Sequence, residues 1–207
     1  MKPNLRFALS AALAAVVFGI GYYVFIFFPG AGDTPDSDFT TFYASDNKMN
    51  TAMILSGILL VGSLAMLWFY NELRARLPGG MLVSVGYAAG MVGVVAAPLG
   101  AFAMGGPAGA YQQTTHADLI GSGVAMAFAQ MGLGITLFLG MTSFAVSAIL
   151  LSLAARRSGL LPSWLGIVGI ILGVATLGSF FWAPGYAFLI WVFMTGVVVG
   201  MRGEAAG

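Results

Sequence analysis

Apolar residues in this sequence come in long runs, and the polar residues are gathered into the short stretches between them. The first run covers residues 7–28. A helix over it rises about 33 Å, enough for a hydrocarbon core of about 30 Å. The run is too long for the apolar region of a secretory signal, roughly 7–15 residues. Although Met1-Lys2-Pro3-Asn4-Leu5-Arg6 resembles a signal's basic start, the run reads as a retained first span. Tyr22, Tyr23, Phe25, Phe27 and Phe28 form an aromatic belt at its far end.

The same reading predicts further spans at about 51–70, 81–104, 133–155, 163–182 and 186–201. Asn50 or Thr51 is the expected cap of the second. Pro98 lacks a backbone donor and is expected to kink the third. The stretch 29–50 is the most polar, with Asp33, Asp36, Asp38 and Asp46 beside Lys48. Its Phe39, Phe42 and Tyr43 suit a segment lying on the membrane surface. Residues 105–115 read as a loop, and Thr115 with Asp118 has capping-box spacing before the next apolar run.

Residues 117–155 are too long for a single crossing, at roughly 58 Å as one helix. Gln130, Gly132 and Gly134 mark the expected break or strong bend. Residues 117–131 would then form an outer-side helix, leaving 133–155 as the fourth span. The rival, in which 117–131 spans by itself, gives a crossing of only about 15 residues. It would also turn Arg156 and Arg157 to the outside.

Charge supplies the orientation. Lys2, Arg6, Arg74, Arg76, Arg156, Arg157 and Arg202 all fall on one side of a six-span layout, and Lys48 alone falls on the other. Basic residues are retained on the cytoplasmic side, so both termini are expected there. Arg156, Arg157 and Trp164 form one cytoplasmic anchor. The two cations suit a helix C-terminus, Gly159 suits a left-handed stop, Pro162 suits the first turn of the fifth span, and Trp164 suits the interface.

Composition agrees with lipid as the solvent. The chain of 207 residues is 59% hydrophobic and 7% charged, against about 25% charged in soluble domains. A net charge of +1 gives no electrostatic reason to bind nucleic acid. The absence of cysteine excludes disulfides, thiolate metal sites and cysteine nucleophiles. The fold class expected is therefore all-α: a single polytopic domain, 1–207, multi-pass in a membrane.

The run Ser158-Gly159-Leu160-Leu161-Pro162-Ser163-Trp164-Leu165-Gly166 resembles a turn found before the fifth helix in an uncharacterised bacterial family of six-helix integral-membrane proteins. The order of elements is similar over most of the chain. The resemblance implies fold and location: a multi-pass protein of a bacterial inner membrane. It implies no activity, because the family carries no assigned catalytic residues.

Candidate chemistry is sparse. No Asp, Glu, Lys, Arg or His falls inside the six expected spans, where such a residue would mark transport or proton relay. Gln130, Thr136 and Thr142 are the candidate polar pocket; the plainer reading is hydrogen bonding between helices or at a bend. A single histidine, His116, cannot supply bis-histidine haem ligation and makes a poor zinc site with Asp118 or the loop aspartates. Neither lysine lies in a span to hold retinal, and Gly121-Ser122-Gly123 lacks a nucleophile elbow. No metal, cofactor or catalytic group is expected, although lipid or pigment contact has room.

Small-residue rows carry the remaining signal. Gly86, Gly90 and Gly93, Gly169 and Gly173, and Gly196 and Gly200 lie at spacings that let helices approach closely. Phe188, Trp191 and Phe193 are large enough to face lipid or a partner. The reading favoured is a non-catalytic subunit or scaffold that docks through glycine-rich faces onto other membrane subunits or itself, within the bilayer. The alternative is a small transporter, channel or lipid-binding protein with a pocket near Pro98 and Gln130-Gly134.

Overall fold

The computed structural model describes residues 4–24, 42, 45–113, 123–178 and 185–202, with side chains except at 107–113 and 202. Its regular elements are α1 (Leu5–Tyr22), α2 (Asp46–Arg76), α3 (Met81–Gln113), α4 (Val124–Gly134), a π-helical segment (Ile135–Met141), α5 (Thr142–Arg157), α6 (Ser163–Thr176) and α7 (Gly185–Arg202). No strand occurs among the described residues. The all-α expectation holds.

Among the described residues, four helical stretches are long and apolar enough to cross a membrane: Leu5–Tyr22, Asp46–Arg76, Met81–Gly106 and Val124–Arg157. Ser163–Thr176 and Gly185–Met201 are shorter apolar helices. Neighbouring helices run antiparallel. Phe7 of α1 packs on Phe69 of α2, while Gly21 at the other end of α1 lies on Leu59. Gly86 of α3 meets Leu150 and Leu151, and Gly100 meets Thr136. Gly166 of α6 meets Arg156, and Gly173 meets Ile149. α7 returns beside α1, with Gly200 near Ala8 and Tyr186 near Tyr22. Arg6, Arg74, Arg76, Arg156 and Arg157 consequently share one end of the bundle, and Lys48 lies at the other.

Several boundaries differ from expectation. α2 starts a turn early, capped by Ser45, whose Oγ accepts from the Lys48 N–H at 3.5 Å; Asn50 and Thr51 are interior. α3 continues through Gly105, Gly106 and Pro107 to Gln113, so the expected loop at 105–115 is helical over most of its length. In a membrane-type helix, glycine need not be a breaker when the backbone is satisfied along the helix.

The break expected at Gln130–Gly134 is a change of helix type. Residues 124–134 run into the π segment without interruption and continue to Arg157. Gly132 is a packing point here, facing the Gly100 carbonyl and Met104. Residues 117–122 of the expected outer-side helix lie outside the described residues, as do His116, Asp118, Asp33, Asp36 and Asp38.

The turn at 158–162 follows its predicted parts. Gly159 has φ 76°, the left-handed conformation that favours glycine. Its N–H donates to the Arg156 carbonyl at 3.2 Å, and the Leu161 N–H donates to the Ala155 carbonyl at 3.1 Å. Pro162 stands one residue before α6 in extended backbone, and its carbonyl accepts from Gly166 N–H at 3.1 Å.

Candidate functional site

The glycines sought as docking faces are all spent inside the chain. A Cβ on Gly90 would lie 2.5 Å from the Tyr70 ring, and one on Gly93 would lie 2.6 Å from Phe144. A Cβ on Gly86 would lie 3.0 Å from the Leu151 side chain. Gly169 faces Ser152 and the Trp191 ring, and a Cβ on Gly173 would lie 2.6 Å from Ile149. Gly196 and Gly200 face Ala11 and Ala8 of α1. Small residues let helices come close where the hydrophobic effect gives no drive to associate. These seven positions therefore build the bundle and offer no free glycine face for another protein.

Two closer crossings pair glycines on different helices. Gly21 of α1 faces the Leu59 backbone, and Gly62 of α2 faces the Phe18 backbone. Gly100 of α3 and Gly132 of α4 likewise face each other's backbone carbonyls. No i, i+4 search on one helix finds such pairs, because the partner glycine belongs to another element.

Between the seams lies an aromatic core. Phe144 stacks on Phe188 at 4.3 Å between centroids, and Phe18 meets Phe144 edge-on at 5.5 Å. Trp191 meets Phe69 edge-on at 5.9 Å and Phe188 at 5.7 Å. Pairs of this kind add about 0.5–1.5 kcal/mol each beyond packing. Phe188 and Trp191 are fully buried, contrary to their expected lipid-facing place, while Phe193 is 47% exposed. The Trp191 Nε1–H donates to Ser152 Oγ at 2.7 Å, tying α7 to α5.

Four of the interior hydroxyls close on their own helices. Ser10, Ser56, Ser63 and Thr176 donate to the carbonyls of Phe7, Ala52, Leu59 and Leu172 at 2.7–2.9 Å. Tyr70 Oη and Ser147 Oγ face each other between α2 and α5 without reaching hydrogen-bond geometry. Among the described residues, Thr136 Oγ1 and Thr195 Oγ1 also lie buried without a hydrogen-bond partner. Of the residues expected to form a polar pocket, Thr136 is buried against Gly100, Gln130 is half-buried, and Thr142 is exposed.

The arginine-rich end holds the polar chemistry that the structure does assemble. Arg76 Nη1 donates to Glu72 Oε2 at 2.7 Å, and its guanidinium lies 4.8 Å from the Phe7 ring centroid. Glu72 lies past the apolar run that ends at Tyr70. The Arg76 hydrogen bond holds its carboxyl below the usual carboxylate range. Arg74 sits 4.4 Å over the Tyr87 ring, and Tyr87 Oη donates to Asn71 Oδ1 at 2.8 Å. Arg156 and Arg157 are exposed, and Trp164 is 55% exposed beside them. Among the described residues, no group of three or more His, Cys, Asp or Glu side chains is placed to hold a metal.

Two cavities stand out, and neither is lined by Pro98 or by residues 130–134. One, of about 220 Å³, lies between α2 and α3 beside Met49, Met53 and Phe102. The other, of about 620 Å³, is a lateral groove between α1 and α7, floored by Leu55 of α2. Val16, Ile20, Ile190 and Phe193 form its walls, and Tyr23 and Tyr186 stand at one end.

Compared with family models, curated proteins and solved structures, the chain matches none.

Proposed function

We propose that this chain is a non-catalytic subunit or scaffold of a bacterial inner membrane, crossing it six times with both termini in the cytoplasm. The observation that carries the reading is the segregation of charge. Arg6, Arg74, Arg76, Arg156 and Arg157 gather at one end of an alternating bundle, with Lys48 opposite. That is the distribution favoured with the arginine end inside. α6, at 14 residues, covers about 21 Å. The continuous helix 124–157 covers about 51 Å and extends past the hydrocarbon on the Lys48 side.

The interior supports a role without chemistry. Ser10, Ser56 and Ser63 serve helix carbonyls, aromatic rings fill the centre, and the glycines of the packing rows are covered by neighbouring helices. Docking then relies on the exposed aliphatic exterior, such as the α3 stripe Val92, Val95, Leu99 and Phe102. A transport path would need Gln130, Thr136 and Thr142 to line one cavity, and they face three different surroundings. Purification from native membranes in mild detergent tests the subunit role. Co-migration with other membrane proteins is the expected result, and a monomer free of other proteins would contradict it.

A further inference from the structure

α1 and α7 are pressed together at one end and parted at the other. Gly196 and Gly200 bring α7 onto Ala11 and Ala8, and the Asn4 N–H donates to the Gly200 carbonyl at 2.9 Å. Towards the opposite end, larger side chains replace the glycines of α7. Leu189 is received by Gly19, where an added Cβ would lie 3.1 Å from Leu189 Cδ1. Beyond that, Tyr22 reaches across to Tyr186, edge-on at 5.4 Å. The groove of about 620 Å³ is the opening on the outer face between pinch and bridge.

Its dimensions select among occupants. Along α1 it runs from Ala15 to Tyr23. That is about 12 Å, less than half of a hydrocarbon core of about 30 Å. A partner transmembrane helix gains its packing along most of the bilayer depth. Here the Gly196–Ala11 and Gly200–Ala8 contacts close the remaining depth of the same seam. The groove is thus one leaflet deep. Among the described residues, its walls are aliphatic and aromatic, and its polar lining is the pair of tyrosines at one end. Tyrosine rings are favoured at headgroup level, and a phenol O–H can donate to ester or phosphate oxygens.

We propose that this groove holds one acyl chain of a phospholipid from the leaflet on the Tyr23–Tyr186 side, with the lipid's ester region at the two phenols. The binding is independent of the subunit role. It rests on α1 and α7 both lying in the bilayer, which single-cysteine labelling at the ends of those two helices tests separately.

The test uses the full chain reconstituted in vesicles of phosphatidylethanolamine and phosphatidylglycerol, extracted in mild detergent and weighed by native mass spectrometry. The unaltered protein should retain a phospholipid. Val16→Trp, which fills the groove from an exposed wall position, should reduce the retained fraction about tenfold. Leu13→Trp, exposed on α1 but outside the groove, should leave it unchanged. Ile190→Trp fills the groove from the opposite wall and gives the same loss should Val16→Trp fail to accumulate. Equal retention in the groove-filling variants and the unaltered protein would overturn the assignment. So would a polypeptide retained in place of lipid, or no lipid retained by the unaltered protein.

Discussion

α1 has two long seams, and they are built differently. Against α2 it is close at widely separated points: Phe7 on Phe69, Phe18 on Gly62, Gly21 on Leu59. Each helix gives a glycine to the other's backbone. Against α7 the glycines come from one side only, at Gly196 and Gly200, and both lie towards the arginine end. Beyond them α7 presents Val192, Leu189 and Ile190, and the seam opens into a groove. Close approach follows where the small residues are placed along a seam, and overall apolarity does not predict it. α1 and α7 are similarly apolar, yet one stretch of their seam is shut and the next is open.

Jamming the closed seam should cost most. Gly62→Leu drives a side chain into the Phe18 backbone, which has no flexible tip to move aside. Destabilisation of about 3 kcal/mol or more is expected, read as a lowered thermal midpoint in detergent. Gly196→Leu meets the Ala11 side chain near the pinched end of α7. Here α7 can swing towards the already open side, so a loss of about 2 kcal/mol is expected. Equal losses for the two variants would show that the α1–α7 seam is as rigid as the α1–α2 seam.

A third seam, between α5 and α7, is held by a hydrogen bond. Ser152→Ala removes the acceptor of the Trp191 Nε1–H. Measured interhelical hydrogen bonds in membranes average about 0.6 kcal/mol, so a loss of about 1 kcal/mol is expected, including the orphaned indole donor. The smallest effect belongs to Gly57→Leu. Gly57 is on α2 like Gly62, but nothing lies within 4 Å of where its Cβ would be. A change within about 0.5 kcal/mol is expected. A large loss there would mean that an unseen surface covers that face.

Much of the architecture is legible in the sequence because lipid imposes a coarse rule: long apolar runs, basic ends and interfacial rings. The spans near 7–28, 81–104 and 186–201 all contain helices in the structure. The errors concern features whose cause lies on another helix. Gly132 reads as a breaker on its own sequence, but Gly100 lies opposite it and the helix continues. Trp191 reads as lipid-facing by size, yet Phe69 and Phe188 enclose it and Ser152 accepts from it. Gly21 and Gly62 escape a one-helix spacing rule because they act as a cross-helix pair. The groove is equally hidden, because its existence depends on where α7 stops presenting glycine to α1.

The membrane orientation is tested most directly by cysteine accessibility. The chain contains no cysteine, so single-cysteine variants need no background removed. Asn47, at the exposed start of α2, marks the Lys48 end; Ser158, exposed after α5, marks the arginine end. In intact cells, Asn47→Cys should react with an impermeant thiol reagent, and Ser158→Cys should react only after permeabilisation. The opposite pattern, or equal labelling of both before permeabilisation, would contradict an odd number of crossings between the two positions with the arginine end in the cytoplasm.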